Sequence, residues 1–311
     1  MKEVSAEAGA SAAVVAEGAA APPTLLRDLV MLTKPRIISL LLVTTVAPMF
    51  VAGTPSWWTV LLVTVGGYLM AGGANAVNMY LDRDIDDVMA RTRLRPIPSG
   101  RMTPRAVLAF GVMLATAATF LLAQFVNVLT AALALGGFYF YVFVYTRWLK
   151  RTSPHNIVIG GAAGAFPPLV GWAAVTGQVD LIAVYLFLIV FYWTPPHFWA
   201  LALLKQGDYG RAGVPMAPLV WGERETIAQM VWYTVVLVAL TLLPVAFGAF
   251  GLVYLAAALT LGALLARGVL RVRALHRRGA PWTGAAWWTY KYSLLYLALL
   301  FVAMVVDRAV A

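Results

Sequence analysis

Long apolar runs alternate with polar breaks along most of this 311-residue chain. About 20 predominantly apolar residues are needed to cross the hydrocarbon of a bilayer as a helix. By that criterion the pattern predicts nine spans, at 37–54, 57–81, 105–125, 128–147, 156–176, 180–204, 226–250, 252–272 and 289–307. Four connections are tight: Pro55-Ser56, Val126-Asn127, residues 176–179 and Gly251. The other four, 82–104, 148–155, 205–225 and 273–288, are long and polar. Tight and long connections alternate, so all the long ones fall on one side of the membrane.

Composition agrees with an all-α polytopic membrane protein. The chain is 62% hydrophobic and 12% charged, against roughly 25% charged in a soluble domain. It has no cysteine, which excludes disulfides and thiolate metal centres. Its three histidines, His155, His197 and His276, are too scattered for a histidine-based metal centre. Residues 1–23, rich in Ala and Gly with Glu3, Glu7 and Glu17, lack the basic start and apolar core of a secretory signal and read as a disordered tail. Residues 24–311 read as a single transmembrane domain.

The net charge of +10 raises nucleic acid as a partner, but its distribution points to topology instead. Of the 23 Lys and Arg residues, 22 fall on the side of the N-terminus and the long connections, and only Arg308 lies opposite. Basic loops stay in the cytoplasm. The N-terminus and long loops are therefore expected inside, the C-terminus outside, with no nucleic-acid partner. Glycine pairs such as Gly72-Gly73 and Gly160-Gly161 allow close helix approach. Pro48, Pro167-Pro168, Pro195-Pro196 and Pro244 are expected to bend or interrupt their helices. Together these suit a bundle that encloses a cavity.

One stretch breaks the apolar pattern sharply. Asp82, Asp84, Asp86 and Asp87 lie within six residues, followed by Arg91, Arg93 and Arg95. If the second span continues to about Asp87, then Asn78, Asp82 and Asp86 share one face at i, i+4, i+8, and Asp84 points away. Such hard oxygen ligands suit Mg²⁺, which commonly bridges carboxylates to substrate phosphates. The arginines would supply charge to phosphate oxygens. On the same side lie Lys34, Arg147, Lys150 and a second acidic corner at Asp208.

The run Asn78-x₃-Asp82-x₃-Asp86, with Arg91-Thr92-x-x-Arg95-Pro96, resembles the aspartate-rich motif of the UbiA superfamily of intramembrane prenyltransferases. Trp193-Thr-Pro195-Pro196-His197-Phe198-Trp199 and Asp208-Tyr209-x-x-Ala212-Gly213-Val-Pro215-Met216 are similar to its heme-modifying branch. Where many members carry a second Asp-x-x-x-Asp motif, this chain has Ala212 after Asp208, as that branch does. The resemblance implies a nine-helix UbiA-type bundle around a central cavity in the cell (inner) membrane. It implies Mg²⁺-dependent transfer of farnesyl from farnesyl diphosphate to protoheme IX, with water added, and heme a synthase as a possible partner. Asn78, Asp82, Asp86 and Asp208 would hold the metal, and Lys34, Arg91, Arg95, Arg147 and Lys150 the diphosphate. His197, within a span beside two prolines, would either ligate heme iron or handle the water, or else bond a carbonyl that the prolines free. Phe138, Tyr139, Tyr141 and Tyr145 are candidates for walls that stabilise an allylic cation. An aromatic quinone precursor as acceptor, or transport of an anion or lipid phosphate, are the competing readings.

Overall fold

A computed structural model describes residues 24–310, and the expected disordered tail at 1–23 lies outside the described residues. Among the described residues nine helices are long and apolar enough to cross a membrane. The helices, in chain order, are α1 (Leu25–Thr33), α2 (Pro35–Ala52), α3 (Trp57–Leu81), α4 (Arg83–Val88) and α5 (Pro104–Phe125). Then come α6 (Val128–Thr152), α7 (Asn156–Thr176), α8 (Leu181–Leu204), α9 (Gln206–Arg211) and α10 (Ala217–Val220). Last are α11 (Gly222–Ala246), α12 (Leu252–Arg277) and α13 (Thr283–Val310).

Short polar residues set the helix starts by accepting backbone N–H groups that have no partner within the helix. Ser56 caps α3 through Thr59 N at 3.1 Å, and Asn127 caps α6 through Thr130 N at 2.8 Å. Asp180 caps α8 through Ile182 N and Ala183 N at 3.1 and 3.2 Å. The cap of α12 comes from far away in sequence. Asp307, near the end of α13, accepts from Gly251 N at 2.6 Å and Tyr254 N at 3.0 Å.

The long helices form a closed ring in chain order, with α13 returning to α2, while α2 also packs on α7 and α8 on α13. The largest apolar core runs through α2, α7, α8, α11, α12 and α13. A second core lies at the end of the bundle where the long connections are, and ties Ile85 and Met89 to Leu203, Tyr209 and Val214. This second core holds the aspartate-rich connection against the α8–α10 connection.

The structure departs from expectation in several places. The helix carrying Asn78 stops at Leu81, and Asp82 has a non-helical φ/ψ of −90°/7° before α4 begins. Bonds Asp82 N to Asn78 O (2.9 Å) and Asp86 N to Asp82 O (2.8 Å) bridge this kink, so the four-residue spacing survives it. The span expected at 226–250 ends at Ala246, because the chain turns through Gly248 in the left-handed region (φ 69°). The prolines within α2, α7, α8 and α11 do not interrupt those helices. From Phe140 to Leu149, α6 widens into a π-helix that carries it beyond its expected end at 147.

Candidate active site

Asp82 lies at the kink between α3 and α4, and every neighbour that reaches it comes from a different place in the chain or from one turn away. Asn78 Nδ2 donates to Asp82 Oδ2 at 2.7 Å and to Thr146 Oγ1 at 3.1 Å. Lys150 Nζ donates to the same Asp82 oxygen at 2.5 Å, and Lys34 Nζ donates to Asn78 Oδ1 at 3.0 Å. Asp86 receives Arg95 on both oxygens, at 2.8 and 2.6 Å. Thr92 fixes the arginine-bearing turn by donating to the Asp86 carbonyl at 2.9 Å. Asn78, Asp82 and Asp86 are all buried. The structure thus brings together Asn78, Asp82, Asp86, Lys34, Arg95 and Lys150.

The surroundings explain how these groups are held. Lys34 joins α1 to α2 in a left-handed conformation (φ 55°), an uncommon backbone state for a residue with a side chain. Loss of hydration, with repulsion from Arg95 and Lys150, lowers the Lys34 ammonium to about 7. The aspartate-rich connection is anchored to α1 by Arg101, which donates to buried Asp28 at 2.9–3.1 Å and to the Leu94 carbonyl at 3.0 Å. The π-helical turn of α6 presents Thr146 and Lys150 to the cluster. Gly160 of α7 leaves room for the Tyr145 ring, which a Cβ there would strike.

Other expected residues lie elsewhere. Arg147 is exposed on α6 and stays outside the cluster. Asp208 pairs with Arg211 three residues on. Arg91 reaches across to that corner, donating to the Tyr209 hydroxyl at 3.2 Å. Asp84 points outward to Arg151, whose guanidinium holds its carboxyl down at about 2. Of the candidate wall residues, Tyr141 and Tyr145 stack with ring centroids 5.7 Å apart, whereas Tyr139 is exposed beside Phe143.

His197 is buried in α8, with its ring between Trp193 (4.3 Å, 17°) and Tyr290 (4.8 Å, 24°). Its partner is Ser293 of α13, with Nδ1 to Oγ at 2.7 Å. The Ser293 hydroxyl donates to the Tyr290 carbonyl at 2.7 Å. It therefore accepts from His197 Nδ1–H, which leaves the lone pair on Nε2. Both faces of the ring are covered by aromatics, so only its edge is available for chemistry. Thr146 and Ser293 were not singled out from sequence. A hydroxyl in a span usually bonds its own helix, and nothing in spacing separates these two from the other threonines and serines.

Among the described residues no three His, Asp or Glu side chains converge into a ready-made metal centre. The test of fit for Mg²⁺ is Asp82 Oδ1, which is buried, accepts no hydrogen bond and has only a long ion-pair contact of 3.8 Å with Arg151. A buried carboxylate oxygen left without a donor is destabilising unless a cation or water meets it. Mg²⁺ takes one or two protein carboxylates and completes its shell with water and phosphate. Asp82 fits that requirement with its free oxygen, while Asn78 Oδ1, Asp86 and Asp208 are each engaged by a cation, Lys34, Arg95 and Arg211, that a metal would displace.

The UbiA prenyltransferase family model matches residues 40–295. The chain is 59% identical over 290 residues to a protoheme IX farnesyltransferase of Roseiflexus castenholzii, covering 93% of this chain and 53% of that protein. It spans about half the length of that relative and of those from Chloroflexus aurantiacus and Thermus thermophilus. The protoheme IX farnesyltransferase of Symbiobacterium thermophilum is 53% identical over 286 residues, covering 90% of this chain and 94% of that protein. In fold the chain is similar to a digeranylgeranylglyceryl phosphate synthase, with a TM-score of 0.71 at 18% identity, covering 92% of this chain and 99% of that one. It is also similar to a UbiA homolog from Archaeoglobus fulgidus bound to GPP and Mg²⁺, with a TM-score of 0.65 at 15% identity, covering 89% and 99%. With nine apolar helices in a ring, a buried aspartate cluster at one end and a family match over most of its length, this multi-pass membrane protein belongs to the UbiA prenyltransferase family.

Proposed function

We propose that the chain transfers the farnesyl group of farnesyl diphosphate to a vinyl group of protoheme IX, giving heme o and diphosphate. The observation that carries this is the 53% identity to the Symbiobacterium protoheme IX farnesyltransferase, which extends over 94% of that protein. In the reaction the bond between the farnesyl carbon and diphosphate oxygen breaks, and the vinyl π pair forms the new C–C bond. Water adds to the vinyl carbon left electron-deficient and gives up a proton.

Each step needs a group that this chain supplies. Lys34, Arg95 and Lys150 bind the diphosphate oxygens, and Arg91 closes over them from the connection after α4. Asn78, Asp82 and Asp86 would hold Mg²⁺, and Asp208 would be free to join them once released from Arg211. The bound metal would neutralise charge on the leaving diphosphate as a Lewis acid. The stacked rings of Tyr141 and Tyr145 offer π faces to the allylic cation. His197 presents an unprotonated Nε2, suited to ligating heme iron or accepting the proton of the added water. Arg147 is exposed on α6, outside the cluster, and is given no part in binding the diphosphate. The enzyme lies in the cell membrane with its N-terminus in the cytoplasm, and its product is the substrate expected by a heme a synthase.

The test supplies purified protein with farnesyl diphosphate, Mg²⁺ and either protoheme or 4-hydroxybenzoate, and reads product mass and diphosphate release. Farnesylated, hydrated heme is the expected product, lost at least ~100-fold in Asp82→Asn. A prenylated benzoate would move the acceptor to a quinone precursor. No diphosphate release with either acceptor would remove the enzymatic reading.

A further inference from the structure

A cleft of about 270 Å³ opens at the polar end of the bundle, beside the side of α4 that carries Asp84, Ile85 and Val88. It is lined by Asp84, Arg151 and Arg211, with Ile85, Val88 and Val214 as its apolar wall. Lys34, Arg95 and Lys150 do not line it, whereas Arg151 does and also comes within 3.8 Å of Asp82 Oδ1, so the cleft adjoins the aspartate cluster. Arg151 donates twice to Asp84 at 2.7 Å and once to the Leu81 carbonyl at 2.8 Å, but its Nε is buried with no acceptor. Arg211 is 57% exposed and pairs with Asp208 of its own helix. The Asp84 side chain is 61% exposed, so it can turn to water at little cost if another carboxylate takes its place.

We propose that this cleft binds the two propionate carboxylates of the acceptor, one on Arg151 and one on Arg211. The inference rests on protoheme being the acceptor. Three physical points lead to it. Guanidinium and carboxylate match as planar, two-point partners, and the cleft offers two of the former to a ligand with two of the latter. The unused Arg151 Nε–H gains an acceptor. The geometry of the ligand also fits, since the propionates and vinyl groups of protoheme lie toward opposite edges of the macrocycle. Anchoring the charged edge at the rim keeps it in water and turns the apolar vinyl edge into the bundle, where the diphosphate site lies. Engagement of Arg211 by a propionate also releases Asp208.

The experiment compares protoheme with its dimethyl ester as acceptor, and adds inorganic pyrophosphate as inhibitor, in wild type, Arg211→Gln and Arg151→Gln. Wild type is expected to have a lower KM for the free acid than for the ester. Each variant should raise KM for the acid about tenfold, the scale of one lost hydrogen bond to a charged group. KM for the ester should change less than KM for the acid, and pyrophosphate should inhibit Arg211→Gln at least as well as wild type, because that variant frees Asp208. The acid-to-ester ratio is internal to each protein, so partial loss of folded Arg151→Gln does not affect it. Equal use of acid and ester by wild type, or an unchanged ratio in both variants, would overturn the proposal. Weaker pyrophosphate inhibition in both variants would assign the cleft to diphosphate instead. No turnover of either heme form, with turnover of another acceptor, would overturn the choice of acceptor and this inference with it.

Discussion

His197 shows how far a single residue could be interpreted before its neighbours were known. The sequence placed it within a span beside Pro195-Pro196 and left a carbonyl freed by those prolines as one partner. The structure gives it Ser293, 96 positions away, and an aromatic ring on each face. That bond fixes which nitrogen is protonated. If Nε2 ligates iron, heme titrated into purified His197→Gln should show a shifted Soret band and ~10-fold weaker binding. Ser293→Ala should weaken binding less, because it frees the tautomer without removing the ligand. Identical spectra for wild type and both variants would return His197 to a packing role. The metal-facing aspartates were easier to find. Asn78, Asp82 and Asp86 are separated by one helical turn each, and that periodicity is printed in the sequence. Lys34 and Thr146 join them only through contacts spanning 44 and 68 positions.

At the scale of elements, all nine spans were legible because hydropathy adds up residue by residue over a window. What the window cannot see is phase. The kink at Asp82 and the π-helical run from Phe140 to Leu149 are both local departures, yet together they decide which side chains meet. Arg147 was expected in the site with Lys150, three residues away, but the wide turns of α6 point Lys150 inward and leave Arg147 exposed. Helix contact also depends on single absent side chains. At Gly171 of α7 a Cβ would strike the Thr45 carbonyl oxygen of α2, a backbone atom that cannot rotate away. Gly171→Ala should therefore destabilise the bundle by about 1–3 kcal/mol. Gly164→Ala, on the same helix with nothing within 4 Å of a new Cβ, should leave stability unchanged. Thermal unfolding of the two purified variants checks this, and equal transitions would mean that α2 and α7 separate freely.

For the whole molecule, sidedness is the property with the simplest test. The chain has no cysteine, so single cysteines can report position without background. Leu94 is 71% exposed in the aspartate-rich connection, and Trp57 is 79% exposed at the opposite end of α3. In intact cells a membrane-impermeant maleimide should label Trp57→Cys and not Leu94→Cys, and in inverted vesicles the reverse. Labelling of Leu94→Cys from outside would invert the orientation inferred from the basic loops. The ring itself, closed from α13 to α2, places the two long connections that carry Asp82 and Asp208 at the same end of the molecule.

The sequence by itself determined the number of spans, their shared sidedness and the aspartate periodicity. Each of these depends on residues within about one helix length, where hydropathy and helical repeat act directly. Only the tertiary structure decided that Lys34 and Thr146 meet Asn78, that Lys150 meets Asp82, and that Arg151 lies between Asp82 and Asp84 and lines a cleft beside the cluster. Those contacts depend on how a kinked α3 and a π-wound α6 are rotated against each other. Packing of the whole ring sets that rotation, and no local pattern encodes it.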